Sequence, residues 1–181
     1  MVRTLHVLSA STRHVSAGRP LARWITGLAQ ARPQLAPELI DLRDIDLPLL
    51  DEPELPSEGR YVHASTKEWS ATVTAADAFV IVMPMYNGGY TAPLKNAIDT
   101  LYGEWRDKPA GLVSYSAGPS GGAPALEMLR PVLGRVGLRV AEPTVSIPGI
   151  AEYFGGDGGF VPGPDLADRV DALLDAVTAG A

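Results

Sequence analysis

The fold is decided by one apolar stretch, Ala78-Phe79-Val80-Ile81-Val82-Met83. A strand with one solvated face alternates apolar and polar residues, whereas every position of this run is apolar. Such a run predicts a central strand of a parallel sheet that is covered on both faces. It is far too short to span a bilayer, which takes about 20 residues as a helix.

Segments on either side of this run alternate between strand-like and helix-like patterns. Strands are predicted at residues 5–10, 38–45, 78–83, 111–116 and 139–147. Apolar residues at helical spacing predict helices over residues 21–32, 62–76, 94–101, 126–136 and 166–177, with a kink at Pro131. This alternation predicts right-handed βαβ units. We therefore expect the α/β class, with one doubly wound domain over residues 1–181 and a five-stranded parallel sheet with helices on both faces.

Two segments carry turn-forming residues instead of a periodic pattern. Residues 46–60 are acidic and rich in proline, which forbids a regular helix or a central strand, so we expect a long loop. Residues 155–163 are rich in glycine, and we expect a flexible loop at residues 155–159, over the rim of a site.

The composition excludes several kinds of chemistry. The 181 residues are 46% apolar and include no cysteine and only three histidines, which are not clustered. Disulfide scaffolds, thiolate metal sites and thiol nucleophiles are excluded, and a catalytic metal centre is not expected. A net charge of −6 argues against broad binding to nucleic acid or anionic membranes. Because we find no targeting or membrane-spanning pattern, we expect a cytoplasmic protein.

The loop after the first strand has the composition of an anion site. It reads Ser9-Ala10-Ser11-Thr12-Arg13-His14-Val15-Ser16 and precedes a helix. Backbone N–H groups and the helix dipole favour an anion there, hydroxyls add donors, and Arg13 can bind a phosphate through two hydrogen bonds. The alternative is an ordinary polar loop in which Ser16 caps the helix.

Two more loops of small residues follow the third and fourth strands. The first contains Tyr86-Asn87-Gly88-Gly89-Tyr90, whose glycines allow a flat ligand to approach the backbone and whose tyrosines can pack against it. The alternative is a glycine turn with tyrosines over the core, which suits Tyr90. The second contains Ser116-Ala117-Gly118-Pro119-Ser120. Ligands of doubly wound sheets bind beyond the carboxyl ends of the strands, so the three loops predict a site for a planar heterocycle with a phosphate.

Other sites of this architecture lack the residues they require. Gly118-Pro119-Ser120-Gly121-Gly122 matches the nucleophile elbow of hydrolases, but that fold needs a later histidine and all three histidines precede Ser120. The absence of a Gly-Lys dipeptide excludes a Walker loop, and the first turn lacks G-x-G-x-x-G. The ends of the strands also lack the acidic residues of a phospho-acceptor domain. Of the sites considered for this architecture, a site for a mononucleotide-like ligand is the one that remains.

Three motifs resemble those of the NADPH-dependent FMN reductase family. Residues 11–16 resemble its S-x-R-x-x-S phosphate loop. Residues 84–88 and 94–99 are similar to its P-E-Y-N-G and L-K-N-A-I-D signature, and residues 116–122 look like its third loop. The resemblance covers roughly residues 4–147 and implies a flavodoxin-like fold.

The resemblance implies FMN as the ligand and assigns its contacts. The phosphate would be held by Ser11, Arg13 and Ser16; the isoalloxazine ring would run along Pro84, Met85, Tyr86, Asn87 and Gly88; and its pyrimidine side would face Ser116 and Gly118. No side chain is expected to act as a catalytic acid or base. Ala10 and Met85 stand where the family has glycine and glutamate, and Met85 changes the charge beside the ring.

The resemblance also implies an enzyme. NADPH or NADH would pass a hydride to FMN, and two electrons would go on to a small acceptor such as a quinone, an azo compound, free flavin or a metal oxyanion. A flavodoxin-like electron carrier or a redox-responsive flavin-binding protein is the alternative. We expect a homodimer or homotetramer in which residues 46–60 and Tyr90 or Trp105 contribute to the rim of the site. We expect Lys95 and Asp99 to form an ion pair along their helix.

Overall fold

The computed structural model of the chain describes residues 2–156 and 158–180, so Asp157 of the glycine-rich stretch lies outside the described residues. The strands are β1 (Arg3–Ser9), β2 (Leu35–Asp41), β3 (Ala78–Pro84), β4 (Pro109–Tyr115), β5 (Arg139–Val140) and β6 (Val145–Ile147). The α-helices are α1 (Gly18–Gln30), α2 (Leu42–Ile45), α3 (Ala64–Ala75), α4 (Ala92–Asp99), α5 (Ala123–Arg135) and α6 (Pro164–Gly180). Short 3-10 helices span Pro56–Glu58, Gly103–Trp105 and Ile150–Tyr153. None of the described helices is both long enough and apolar enough to cross a membrane.

All strand pairs of the sheet are parallel, in the order β2-β1-β3-β4-β5, and β6 also pairs with β4. This is the flavodoxin-like strand order, in which the winding reverses between β1 and β3. The predicted doubly wound α/β fold is confirmed. The reversal leaves a crevice at the carboxyl ends of the strands, where ligands of such sheets bind.

The core lies on both faces of the sheet, as the apolar run of β3 predicts. Every residue of β3 is buried, and alternate side chains enter opposite clusters. Phe79 and Ile81 join the cluster beneath α3, α4 and α5, whereas Val80 joins the cluster beneath α1 and α6. Full burial of one such side chain contributes about 1.5–3 kcal/mol, so the two clusters hold the helices to the sheet.

The predicted second strand is misplaced, because β2 runs over Leu35–Asp41 and not over residues 38–45. The strand includes Pro37, which an edge strand tolerates because its missing N–H need not pair. It ends at Asp41, whose carboxylate accepts a hydrogen bond of 3.0 Å from the Arg43 N–H and so caps α2.

The predicted fifth strand, residues 139–147, is divided into β5 and β6. The Ala141 N–H still donates to the Ala110 carbonyl of β4 at 2.9 Å, but residues 142–144 belong to neither strand, and Pro143 has no N–H to donate to a neighbouring strand. Pro131 lies inside α5, which continues to Arg135, so the expected kink stays a prediction.

Residues 46–60 form the predicted long loop, apart from the short turn at Pro56–Glu58. Asn96 on α4 anchors the loop, since its side chain accepts from the Leu50 N–H at 2.9 Å and donates to the Pro48 carbonyl at 2.8 Å. The Glu52 carboxylate accepts from the N–H groups of Val62 and His63 just before α3 begins. The first half of the loop is therefore fastened twice, to α4 and to the segment just before α3.

His6 is a buried histidine at the middle of β1, between β2 and β3. It is 2% exposed, its Nε2 atom has no hydrogen-bond partner among the described residues, and its ring meets Phe79 edge-on at 6.0 Å. Burial lowers the pKa of His6, and the nearby Glu38 opposes this effect only in part.

The burial of His6 predicts a loss of stability in acid. Below the unfolded pKa of about 6.5 the unfolded chain takes up a proton that the folded chain resists, so the free energy of unfolding falls as the pH falls towards the lowered pKa. Urea unfolding between about pH 7.5 and pH 5 should show a weaker pH dependence in His6→Leu than in the wild type. The exposed His63, replaced by glutamine, is the control. Equal slopes in the wild type and His6→Leu would contradict this account.

Candidate active site

A cleft of about 250 Å³ lies at the carboxyl ends of β1, β3 and β4. Seven of the ten residues predicted for the site line it, namely Ser11, Arg13, Ser16, Pro84, Met85, Tyr86 and Ser116. Asn87 and Gly88 form the turn that follows Tyr86, and Gly118 lines the neighbouring cavity. The predicted residues therefore occupy one edge of the sheet.

One end of the cleft carries hydroxyls and an arginine at the start of α1. Ser11 is 3% exposed, and its Oγ lies 3.3 Å from the Tyr86 hydroxyl. Ser16 Oγ accepts a hydrogen bond of 3.1 Å from the Gly18 N–H, and the N-cap residue is Ala17. Ser16 therefore serves the helix start and lines the cleft at the same time.

The electrostatics of this end favour an anion. Arg13 is exposed and has no hydrogen bond or ion pair with the residues that the structure describes. No acidic residue lies in the first turn of α1, and no carboxylate lines the cleft. An unpaired guanidinium, hydroxyl donors and the positive end of a helix dipole are the groups that bind phosphate.

Tyr115 is a site residue to which the sequence assigned no contact with the ligand. It ends β4, is 5% exposed and lines the cleft. Burial raises its pKa to about 12, so the hydroxyl stays protonated at neutral pH and remains a donor. A Cβ atom at Gly18 would lie 2.5 Å from this hydroxyl oxygen. A tyrosine next to small polar residues at the end of a central strand was the available signal.

The loop after β3 closes into a tight turn. Tyr86 and Gly89 exchange backbone hydrogen bonds of 2.9 and 3.0 Å, and φ is +51° at Asn87 and +83° at Gly88. Positive φ at both central residues defines a type I′ turn, for which Asn-Gly is the favoured pair. Thr91 caps α4 and donates a hydrogen bond of 2.8 Å to the Ala10 carbonyl, which ties this loop to the first one.

The loop after β4 is held against β6 by glycine. A Cβ atom at Gly121 would lie 2.7 Å from the Ile147 backbone nitrogen, and φ there is +59°. Ser116 Oγ donates to the Gly118 carbonyl at 3.0 Å. Ser120 is exposed, and its Oγ accepts a long hydrogen bond of 3.4 Å from the Gly122 N–H, so it lies in the loop as expected.

Tyr90 and Trp105, the two aromatic residues considered for the rim of the site, differ in burial. Trp105 is wholly buried, with its ring 5.2 Å from that of Phe79 and 6.0 Å from that of Trp69, so its prediction as a rim residue is wrong. Tyr90 is half-buried and packs against the same apolar cluster. The expected ion pair between Lys95 and Asp99 is present.

Comparisons with known proteins agree with this geometry. Residues 4–152 match the family model described as NADPH-dependent FMN reductase. The chain is 39% identical over 146 residues to an NAD(P)H-dependent FMN reductase of Schizosaccharomyces pombe, covering 78% of this chain and 72% of that protein. It is 31% identical over 182 residues to a quinone reductase of Pseudomonas putida, covering 97% and 90% of the two chains.

A solved structure is similar over nearly the whole chain. It is the flavoenzyme NAD(P)H:(acceptor) oxidoreductase FerB from Paracoccus denitrificans, with a TM-score of 0.79, 28% identity and 99% of each chain covered. The family match spans all three loops of the cleft. The chain thus belongs to the NADPH-dependent FMN reductase family and is an oxidoreductase that uses FMN and NAD(P)H.

Proposed function

We propose that the cleft between the three loops holds FMN and that the protein reduces a small acceptor at the expense of NAD(P)H. The observation that carries this proposal is the unpaired Arg13 beside two serine hydroxyls at the start of α1. Ser11, Arg13 and Ser16 hold the phosphate, and the Tyr115 hydroxyl lies at the same end of the cleft, close to Gly18 at the start of α1.

The remaining predicted residues are proposed to hold the ring. The isoalloxazine lies along the loop after β3, beside Pro84, Met85, Tyr86, Asn87 and Gly88, and its pyrimidine side faces Ser116 and Gly118. The cleft fits such a group because its lining offers hydroxyl and guanidinium donors at one end and includes no carboxylate. FMN supplies the hydride and electron chemistry when bound, and the protein supplies binding and orientation.

Met85 sets the polarity beside the proposed ring position. Its side chain is half-buried against the apolar cluster under α4, and its N–H donates a hydrogen bond of 3.0 Å to the Tyr115 carbonyl. A thioether there adds no charge, whereas a carboxylate would disfavour added electron density on the ring. The hydrogen bond from the N–H of residue 85 holds the backbone with either side chain. Met85 therefore affects the reduction potential of the bound FMN more than the affinity for FMN.

We propose a quinone as the acceptor, ahead of azo compounds, free flavin and metal oxyanions. The similarity to a quinone reductase over 97% of the chain supports this choice. We further propose that the chain folds as one domain over residues 1–181 and works in the cytoplasm, where NAD(P)H is maintained.

The loop of residues 46–60 supports a homodimer or homotetramer. Leu49 and Leu55 on this loop are 80% and 70% exposed, and Val62 just beyond it is 56% exposed. Large apolar side chains grouped on one surface segment mark contacts between proteins. A second copy of the chain placed here would lie beside Thr12 of the phosphate loop, because Leu49 and Thr12 line the same cavity of about 270 Å³.

Removal of the guanidinium tests the phosphate assignment. In Arg13→Ala the loss of one charge-assisted contact, worth about 1.5–3 kcal/mol, should weaken FMN binding by about ten- to one-hundred-and-fifty-fold. Fluorescence titration of the apoprotein with FMN measures this. Arg135→Ala, at the far end of α5, is the matched control and should leave the affinity unchanged. Unchanged affinity in Arg13→Ala would show that the phosphate lies elsewhere.

Anaerobic mixing with NADPH tests the catalytic assignment. The FMN-loaded protein should lose its yellow absorbance rapidly, because NADPH reduces the bound flavin, and addition of a quinone should restore the colour. Stopped-flow spectroscopy follows both phases, and NADH in place of NADPH gives the preference between the two. A flavin that stays oxidised would instead favour an electron carrier.

The exposed leucines predict the quaternary structure. Sedimentation of the wild type should give a dimer or tetramer, and the double variant Leu49→Ser, Leu55→Ser should dissociate towards the monomer because it removes apolar area from the contact. Met128→Ser, which alters another exposed apolar side chain, should sediment as the wild type does. A monomeric wild type would overturn the assignment.

A further inference from the structure

A strip of apolar surface continues the cleft past the loop after β3. Tyr86 lines the cleft and is also 40% exposed, so it joins the cleft to the surface. A Cβ atom at Gly89, at the other end of the same turn, would lie 3.8 Å from both the Sδ and the Cε atoms of Met128 on α5. Pro124 is exposed on the same face of α5, one helical turn before Met128. We call Tyr86, Gly89, Pro124 and Met128 the apolar strip.

Met128 gives the apolar strip its largest exposed group on α5. Its side chain is 55% exposed, whereas the leucines of the same helix are buried against the sheet. The unbranched thioether adapts its shape to irregular apolar partners. The charged residues next to it engage one another, since Arg130 lies 3.6 Å from the Glu127 carboxylate and 2.6 Å from that of Glu142. The strip therefore offers apolar surface beside charges that are already paired.

The apolar strip lies on the reactive side of the proposed ring position. In that arrangement the pyrimidine side of the isoalloxazine faces Ser116 and Gly118, and the loop after β3 runs along the rest of the ring. A flavin takes up and returns the hydride at N5, which belongs to the central ring and not to the pyrimidine ring. An acceptor stacked over that part of the cofactor would have Tyr86 and the strip beside it.

We propose that the apolar strip binds the hydrocarbon tail of a quinone whose ring lies in the cleft, and that Met128 determines this specificity. The inference rests on the proposed function, in which NAD(P)H, a proton and a quinone give NAD(P)⁺ and a hydroquinone, and the tail takes no part in the reaction. The tail leaves the cleft past Tyr86 and lies across Gly89 onto Pro124 and Met128. The preferred acceptors are para-quinones with an isoprene or alkyl tail.

The size and the polarity of the apolar strip favour a tail over other occupants. Apolar groups exposed beside a ligand site are typical of binding grooves. Three partly exposed side chains and one glycine offer less area than the about 800 Å² that each partner buries in a standard protein interface. The diphosphate of NAD(P)H would meet no free cation, because Arg130 already pairs with two carboxylates.

Steady-state kinetics with a matched pair of quinones tests the role of Met128. The pair is 2,3-dimethoxy-5-methyl-1,4-benzoquinone and the same ring with one isoprene unit, and the measured quantity is the ratio of kcat/KM for the tailed to the untailed compound. This ratio should fall by about four- to fifteen-fold in Met128→Gln, as expected when one or two methylene-sized groups lose an apolar contact. Comparison of ratios removes any difference in reactivity between the two rings.

Two further variants separate this local effect from others. Met128→Leu keeps an apolar side chain and should retain most of the ratio. Val2→Thr makes an exposed apolar residue polar before β1, at the opposite end of the sheet, and should keep the ratio of the wild type. An equal fall in Met128→Leu and Met128→Gln, or a fall in Val2→Thr, would overturn the assignment of Met128. Dissociation of the oligomer by Met128→Gln in sedimentation would also overturn it, because the strip would then be a contact between copies of the chain.

Calorimetric binding distinguishes failure of this inference from failure of the proposed function. The oxidised, FMN-loaded protein is titrated with each quinone without NAD(P)H. The wild type should bind the tailed quinone more tightly than the untailed one, and Met128→Gln should lose the difference. If turnover is absent but this difference in binding persists, the proposed function fails and the tail site stands. If turnover proceeds with the same ratio in the wild type and Met128→Gln, the tail site is wrong.

Discussion

Parallel pairing of β1 with β3 brings loops from distant parts of the chain to one edge of the sheet. The pairing runs from Leu5 opposite Ala78 to Ser9 opposite Val82, and the Ala10 N–H continues it by donating to the Val82 carbonyl at 2.9 Å. Since the winding reverses here, helices on the two sides diverge and leave a crevice. The hydrogen bond from Thr91 to the Ala10 carbonyl then locks the two loops together. Without this pairing Arg13 and Tyr86 would not share a cleft.

The distribution of ion pairs near the cleft explains how an acidic chain leaves the Arg13 guanidinium unpaired. Arg19 on α1 is held by Asp41 and Asp44, and Asp41 also caps α2. Arg43 donates to the His14 backbone carbonyl and shares a hydrogen bond of 2.9 Å with the His14 ring. The nearby arginines are thus engaged in structure. Arg13 keeps its donors for a ligand, which gives the cleft a local charge opposite to that of the whole protein.

Much of the architecture could be predicted because its signals are local. The apolar run at residues 78–83 identified the central strand, and the small residues at residues 116–122 identified a loop whose first residues line the cleft. The end of β2 was missed because a capping carboxylate at Asp41, not a change in hydrophobicity, ends the strand. Trp105 was misplaced because a tryptophan in a short turn gives no local sign of the core that covers it.

The residues that were missed at the site depend on tertiary contacts. Tyr115 stands beside small polar residues at the end of a strand, but its contact with the start of α1 depends on the bare backbone of Gly18, which faces its hydroxyl. The glycine-rich stretch gave no hint of the stacked rings of Tyr153 and Phe160 at its base. The spacing of apolar residues within one segment predicts whether that segment is a helix or a strand. It does not predict these contacts, which join segments far apart in the sequence.

Both outer borders of the sheet are interrupted by proline. Pro37 lies within β2 on one border, and Pro143 lies between the short strands β5 and β6 on the other. A proline offers no N–H to an incoming strand, and a two- or three-residue strand offers little length for pairing. Growth of the sheet by addition of strands from other molecules is therefore disfavoured at either border. The two prolines lie in the segments whose strand boundaries were mispredicted. We expect them also to oppose the formation of fibrils by this sheet, which is rich in valine and isoleucine.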